Sequence, residues 1–272
     1  MSEALTFLAA PLAMCLVIAS IHVYLGMHVL QRGVIFVDLA LAQLAALGAT
    51  VAGVLDEEHA EGAVAHLAAF AFAALGAALF ALAGRARQHV SQEAVVGIVY
   101  AVASSAMVLV LSRAPHGAEH MKAMLVGSLL LSTWEDVARV AGAYVLLGGV
   151  QYALRERFVQ MSWEPQRGVP TGWDFAFYLL FAMAITLSVQ VAGVLLVFSY
   201  LIVPAVITRL FQERLGPRLL AGWAVAVLAS LGGLAASWSW DLPTGAAIVA
   251  AFGLLLALAA TTRALQGPGD TV

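Results

Sequence analysis

Imidazole and carboxylate side chains that fall close together are the residues of this chain best suited to hold a borderline divalent cation such as zinc or manganese. His116, Glu119 and His120 lie close together in sequence, and Glu119 shares a face with His116 if the stretch is helical. Asp56, Glu57, Glu58, His59, Glu61 and His66 form a second group. A solvated acidic loop with incidental histidines accounts for the same pattern, and spacing alone favours that reading. Other ionisable residues stand in apolar runs, where a charge costs about 2.5 kcal/mol or more, so they are functional candidates by default. His22 is the deepest of them and reads equally as lining a polar pathway or as bonded to neighbouring backbone. His28 and Asp38 lie near the ends of such runs, where snorkelling or a helix cap explains them as well. Glu93 opens another run as a first-turn carboxylate does. Asp241-Leu242-Pro243-Thr244-Gly245 reads as a turn followed by a helix start.

Other chemistries find no support in the chain. It has no His-Glu-x-x-His pair, no glycine-rich phosphate loop and no Ser/His/Asp set at telling positions, so we expect no enzyme. The single cysteine, Cys15, rules out an intrachain disulfide and any multi-cysteine metal site. Leu12-Ala13-Met14-Cys15 lacks a preceding basic residue and is read as part of a span, neither a lipoprotein signal nor a cleaved leader.

The elements that must position these residues are apolar helices. Of 272 residues, 62% are hydrophobic and 11% charged, far from the balance a soluble domain needs to cover its surface. A net charge of -3 argues against a nucleic-acid partner. A spanning helix takes roughly 20 mostly apolar residues. Nine candidates follow: Leu5–Leu30, Val34–Leu55, Val64–Gly84, Ala94–Ser112, Val137–Leu154, Phe175–Val189, Ala192–Thr208, Leu219–Ser237 and Thr244–Thr262. The sixth and seventh form one apolar run, divided at a turn around Gln190–Gly193, and Met124–Leu131 reads as a re-entrant or interfacial piece. With the C-terminus in the cytoplasm, ten basic residues lie inside, while Arg113, Lys122 and Arg139 lie outside. That bias places the N-terminus outside. The expectation is an all-α, polytopic transmembrane bundle forming a single domain over 1–272, in contact with membrane lipid.

Four segments, taken in order, carry a family resemblance. Gln92-Glu93-Ala94-Val95-Val96-Gly97-Ile98 resembles a Glu-x-x-x-Gly-Ile helix start. Gly127-Ser128-Leu129-Leu130-Leu131-Ser132-Thr133-Trp134-Glu135-Asp136 resembles a Gly-x-Leu-Leu-x-x-x-Trp-Glu-Asp segment. Val191-Ala192-Gly193-Val194-Leu195-Leu196-Val197, with Leu201-Ile202-Val203-Pro204-Ala205, is similar to the most recognisable core, and Asp241-Leu242-Pro243-Thr244-Gly245-Ala246 closes the match. Taken together they resemble the permease subunits of bacterial metal-ion ABC importers, the zinc/manganese/iron uptake family, and the resemblance covers nearly the whole chain.

The resemblance implies a homodimer in the bacterial plasma membrane, two cytoplasmic ATPase subunits and an external metal-binding protein that delivers the ion. It implies no cofactor held by this subunit, and zinc or manganese as cargo. His22, His28, Asp38, Gln43, His59, Glu93, His116, Glu119, His120 and Asp241 then become candidates for the translocation path or its external funnel. Trp163, Glu164, Arg167 and Gly168 become candidates for ATPase coupling. Two departures stand out. The family's second span carries Asp-x-x-x-His; aligned on Gly48, those places hold Leu39 and Gln43, with Asp38 one residue early. A glutamine amide is a poorer zinc ligand than imidazole, which leaves a metal chelate open as cargo. The family's cytoplasmic loop helix is also replaced by the shorter Trp163-Glu164-Pro165-Gln166-Arg167-Gly168-Val169-Pro170, where two prolines oppose a regular helix. That shortening leaves open an ATPase-independent transporter or sensor.

Overall fold

The structure, a computed structural model, describes residues 2–55, 62–85, 90–112, 127–164 and 171–266. Among these residues there are ten α-helices and one short 3-10 turn, and no strand. In chain order the helices are α1 (Ser2–Arg32), α2 (Val37–Leu55), α3 (Ala63–Arg85), α4 (Gln92–Leu111), α5 (Trp134–Ala153), α6 (Arg155–Trp163), α7 (Thr171–Ala192), α8 (Val194–Arg209), α9 (Leu215–Trp240) and α10 (Thr244–Gln266). The 3-10 turn, Leu129–Leu131, precedes α5. Leucine, alanine and valine dominate these runs, and in a bilayer only a helix satisfies its own backbone. Large side chains such as Leu109, Val145, Leu146 and Leu254 point outward, as a lipid-facing surface requires.

The nine-span expectation is met in part. Among the described residues, seven helices are long and apolar enough to cross a membrane, or eight if the bent pair α5–α6 counts as one crossing. The chain is therefore a multi-pass membrane protein by length and composition of its helices. The seventh expected span, α8, is 16 residues long and short of a full crossing. Its separation from α7 is tighter than the turn expected around Gln190–Gly193: Gly193 alone breaks the run, at φ 77°. Only glycine takes that conformation readily. The fifth expected span ends where predicted, at Leu154, but the chain continues as α6 after a 68° bend. Within Met124–Leu131, the described part is a single 3-10 turn.

Two compact units organise the helices, with α1, α5 and α7 each contributing to both. Unit 1 comprises Met1–Leu30, Val126–Leu146 and Val191–Val272. Its centre is the packing of α8, α9 and α10. Tyr200, fully buried on α8, donates or accepts a 2.5 Å hydrogen bond with Ser230 on α9 and meets Phe252 on α10 edge-on at 5.0 Å. Unit 2 comprises Gln31–Leu125 and Leu147–Gln190. There α2 packs on α3 and α4, and Phe177, Tyr178 and Phe181 of α7 form a buried aromatic run.

Candidate functional site

In unit 1, three of the segments singled out in the sequence meet. Gly127 lies so close to the backbone of Ala192 and Gly193 that a Cβ there would collide with it, and its φ is 71°. The Ser128 N–H donates to the Val191 carbonyl at 3.0 Å. The 3-10 turn that follows contacts α10. Leu130 then lines a pocket of about 250 Å³ together with Phe7, Leu8, Ser237, Trp238, Asp241 and Leu242. The Asp241 segment is shaped by backbone and hydroxyls. Asp241 closes α9 in the left-handed region, with φ 52°, and its N–H returns to the Ser237 carbonyl. Ser237 Oγ donates to the Leu242 carbonyl and lies 2.8 Å from Thr244 Oγ1 at the start of α10. Asp241 itself is exposed, so its observed part is to form the turn.

The histidines of α1 also belong to unit 1. His22 is fully buried, and its Nδ1 lies 2.9 Å from the Ile18 carbonyl. A carbonyl only accepts, so Nδ1 donates in this contact. The ring sits 6.0 Å from that of Tyr144. His28 is likewise fully buried, edge-on to Tyr24 at 4.5 Å. Burial to that degree sets aside snorkelling for His28.

Unit 2 holds the carboxylates. Asp38 stands in the first turn of α2 and is 2% exposed, and its Oδ1 has no hydrogen-bond partner. Glu93 stands in the first turn of α4. Its carboxylate receives the backbone amides of Phe36 and Ile35, which ties α4 to the connection leading into α2. Glu93 Oε2 is buried and without a hydrogen-bond partner. The two carboxylates are near enough to act on one another electrostatically. Gln43, one turn further along α2, is half-buried. Among the described residues no three His, Cys, Asp or Glu side chains converge on a point that would hold an ion. His59, His116, Glu119, His120, Arg167 and Gly168 lie outside the described residues.

A second polar group in unit 2 was not legible in the sequence. Arg32, read there only as an orienting charge, has a side chain 2% exposed that pairs with Asp174 of α7 at 2.8 Å. Its Nε donates to Ser162 Oγ of α6 at 2.9 Å, and its guanidinium carbon stands 4.0 Å over the Phe177 ring. Gln92, one residue before Glu93, donates to the Phe80 carbonyl at 2.9 Å and to Tyr178 Oη at 2.8 Å. Trp163 ends α6, and Glu164 caps it through its N–H to the Gln160 carbonyl. The one sequence signal for this group was the position of Arg32 and Asp174 at opposite ends of long apolar runs.

Solved structures share this architecture. The chain superposes with a TM-score of 0.76 on a chain of PsaBC from Streptococcus pneumoniae in complex with Fab, at 17% identity, covering 94% of this chain and 93% of that one. An inward-facing ABC transporter described as of metal-chelate type gives a TM-score of 0.69 at 16% identity, covering 93% and 85%. In sequence, the chain is 27% identical over 147 residues to the high-affinity zinc uptake system membrane protein ZnuB of Haemophilus influenzae. That match takes in 51% of this chain and 55% of the relative, little more than half the length of either. The profile of the ABC 3 transport family matches residues 4–263, nearly the whole chain. The four segments, the helix order and that match agree: this chain belongs to the ABC 3 transport family.

Proposed function

We propose that the chain is the permease subunit of an ABC importer that passes a divalent metal ion, zinc or manganese, across the bacterial plasma membrane. It works as a homodimer, N-terminus outside, with two cytoplasmic ATPase subunits that carry out the hydrolysis and an external binding protein that delivers the ion. The observation that carries this reading is Asp38, a carboxylate 2% exposed with an unpartnered oxygen, near enough to Glu93 for the two to act on one another. A group so costly to bury is kept where something charged must be met. Two carboxylates offer hard oxygen ligands, which suit manganese at least as well as zinc. Weak, sparse coordination also fits a path, since an ion held too tightly does not leave. His22 and His28 contribute polar positions along α1, and Asp241 shapes the external end of α9 and α10.

Gln43 supports a second reading, in which the cargo is a metal chelate. It is half-buried on α2 where the family resemblance calls for histidine, and an amide meets a liganded metal as readily as a bare one.

The deciding experiment purifies the tagged protein with its ATPase partner, reconstitutes both with the binding protein and measures uptake of 65Zn and 54Mn. Saturable, ATP-dependent uptake of either ion that falls about tenfold or more in Asp38→Asn supports the importer reading; the factor corresponds to losing one charged contact. Uptake only when the metal is presented as a complex supports the chelate. An intact, folded permease that binds no ATPase overturns both.

A further inference from the structure

The α6 segment is nine residues long, too short to hold its shape without tertiary contacts. It faces two ways. Phe158, Met161 and Ser162 are buried, while Arg155, Glu156 and Arg157 are exposed. It also leaves α5 at 68°, after a break at Leu154. Two kinds of contact hold it. Phe158 packs edge-on to Phe177 at 5.4 Å, a contact that tolerates sliding and tilting. The other contact is directional: the Arg32 guanidinium, at the last residue of α1, donates to Ser162 Oγ on α6 and to Asp174 Oδ1 on α7 at the same time. It does so while stacked on Phe177, so its plane is fixed as well as its charge.

The network extends beyond these three helices. Asp174 Oδ2 and Gln92 Nε2 both border Gly84 near the end of α3, and Gln92 joins α3 and α7 through the Phe80 carbonyl and Tyr178 Oη. Glu93, beside it, bonds the connection that follows Arg32. The ends of α1 and α3 and the starts of α4 and α7 thus share one buried polar node, and Arg32 is the member that reaches α6.

We propose that Arg32 is a positioning residue for energy coupling: by fixing α6 to the start of α7 and the end of α1, it makes movement of α6 a movement of those helices rather than a local flexing at Leu154. The role rests on the importer reading, which supplies the ATP-hydrolysing partner that would move α6. Lysine at position 32 keeps the charge but is a single point donor without a fork or a stacking plane, so it cannot hold Ser162 and Asp174 in the same geometry. Ser162→Ala removes the bond from Arg32 to α6 and leaves the ion pair with Asp174 in place.

The test uses the reconstituted permease with its co-purifying ATPase and binding protein, and measures 65Zn or 54Mn ions imported per ATP hydrolysed. Arg32→Lys lowers that ratio by about tenfold and Ser162→Ala by about threefold, the scale of one charge-assisted and one weaker hydrogen bond. ATPase association of Ser162→Ala stays at the wild-type level, and its thermal midpoint falls only by what the loss of one hydrogen bond explains. Spin labels at the exposed positions Arg157 and Gly172 in the isolated permease give a narrow distance distribution in the wild type and a broad one in both variants. An unchanged ratio with an active wild type, or a fall in uptake and hydrolysis in equal proportion with a lower thermal midpoint, overturns the coupling role and leaves Arg32 a stability element. A wild type that moves neither ion and hydrolyses no ATP overturns the importer reading instead, and narrow label distances in every variant then refute the clamp on their own.

Discussion

The two units hold their functional segments together by different means. In unit 1 the Gly127 segment meets Ala192 and Gly193 backbone to backbone, with an amide–carbonyl bond from Ser128 to Val191, and no charged group takes part. In unit 2 the helix ends are gathered by charge: Arg32, Asp174 and Gln92 reach across α3, α6 and α7, while Glu93 grips the connection before α2. Backbone contact needs the absence of a side chain and gives a joint with little play. Side-chain contact spans a wider gap and can be remade in a second geometry. The difference suits a bundle in which one junction stays fixed while another transmits movement.

Breaking each joint in turn sharpens that contrast. The largest effect belongs to Gly127→Val, which adds a β-branched side chain at positive φ against a backbone that cannot move aside. The strain alone costs about 1–3 kcal/mol, and the overlap adds a comparable amount. Thermal unfolding in detergent should show loss of the folded monomer or a fall in midpoint well beyond any other single change. Arg32→Met follows. It leaves Asp174, 16% exposed, without its cation, at a cost of about 3 kcal/mol, the lower end of the range for breaking a buried pair. The double variant Arg32→Met with Asp174→Leu should recover much of that loss by the same measurement, because no lone charge then remains. A midpoint for the single variant equal to wild type would mean the node contributes nothing to the fold.

Ser230→Ala in unit 1 removes one partner of the buried Tyr200 hydroxyl, which also meets Cys15; the neutral hydrogen bond lost is worth about 1 kcal/mol. Denaturation in graded detergent or urea should report a modest loss, clearly smaller than at Arg32. Least of all, Arg139→Gln removes exposed pairs with Glu135 and Asp136 at the start of α5 and should shift the midpoint by less than about 0.5 kcal/mol. A larger shift there would mean the surface of α5 is covered in the working assembly, as the proposed homodimer would allow.

Much of this was legible in the residues. Long runs of leucine, alanine and valine permit no structure but helices in a bilayer, and their ends fell within a few residues of the expected ones because glycine, proline and charged residues punctuate them. The break was legible only as a turn around Gln190–Gly193; that Gly193 alone makes it was not, since Gly26, Gly48 and Gly76 stand inside apolar helices without breaking them. Glu93 was legible as a first-turn carboxylate and Asp38 as a charge near the end of an apolar run; the structure puts each in the first turn of its helix. Their mutual approach was not legible, because it depends on how α2 and α4 pack. Arg32 and Asp174 lie far apart in the chain, and each taken alone looks like an ordinary charge at a helix end. The bend at Leu154 was equally hidden: Arg155-Glu156-Arg157 reads as a polar stop, and it is the burial of Phe158 against Phe177 that turns the chain back into a helix. The sequence by itself determined the class of molecule, the approximate extent of its apolar helices and its family, since these depend on local composition and on short ordered motifs. Tertiary structure alone decided which polar groups meet, because pairing between distant helices follows from packing geometry that no local pattern encodes.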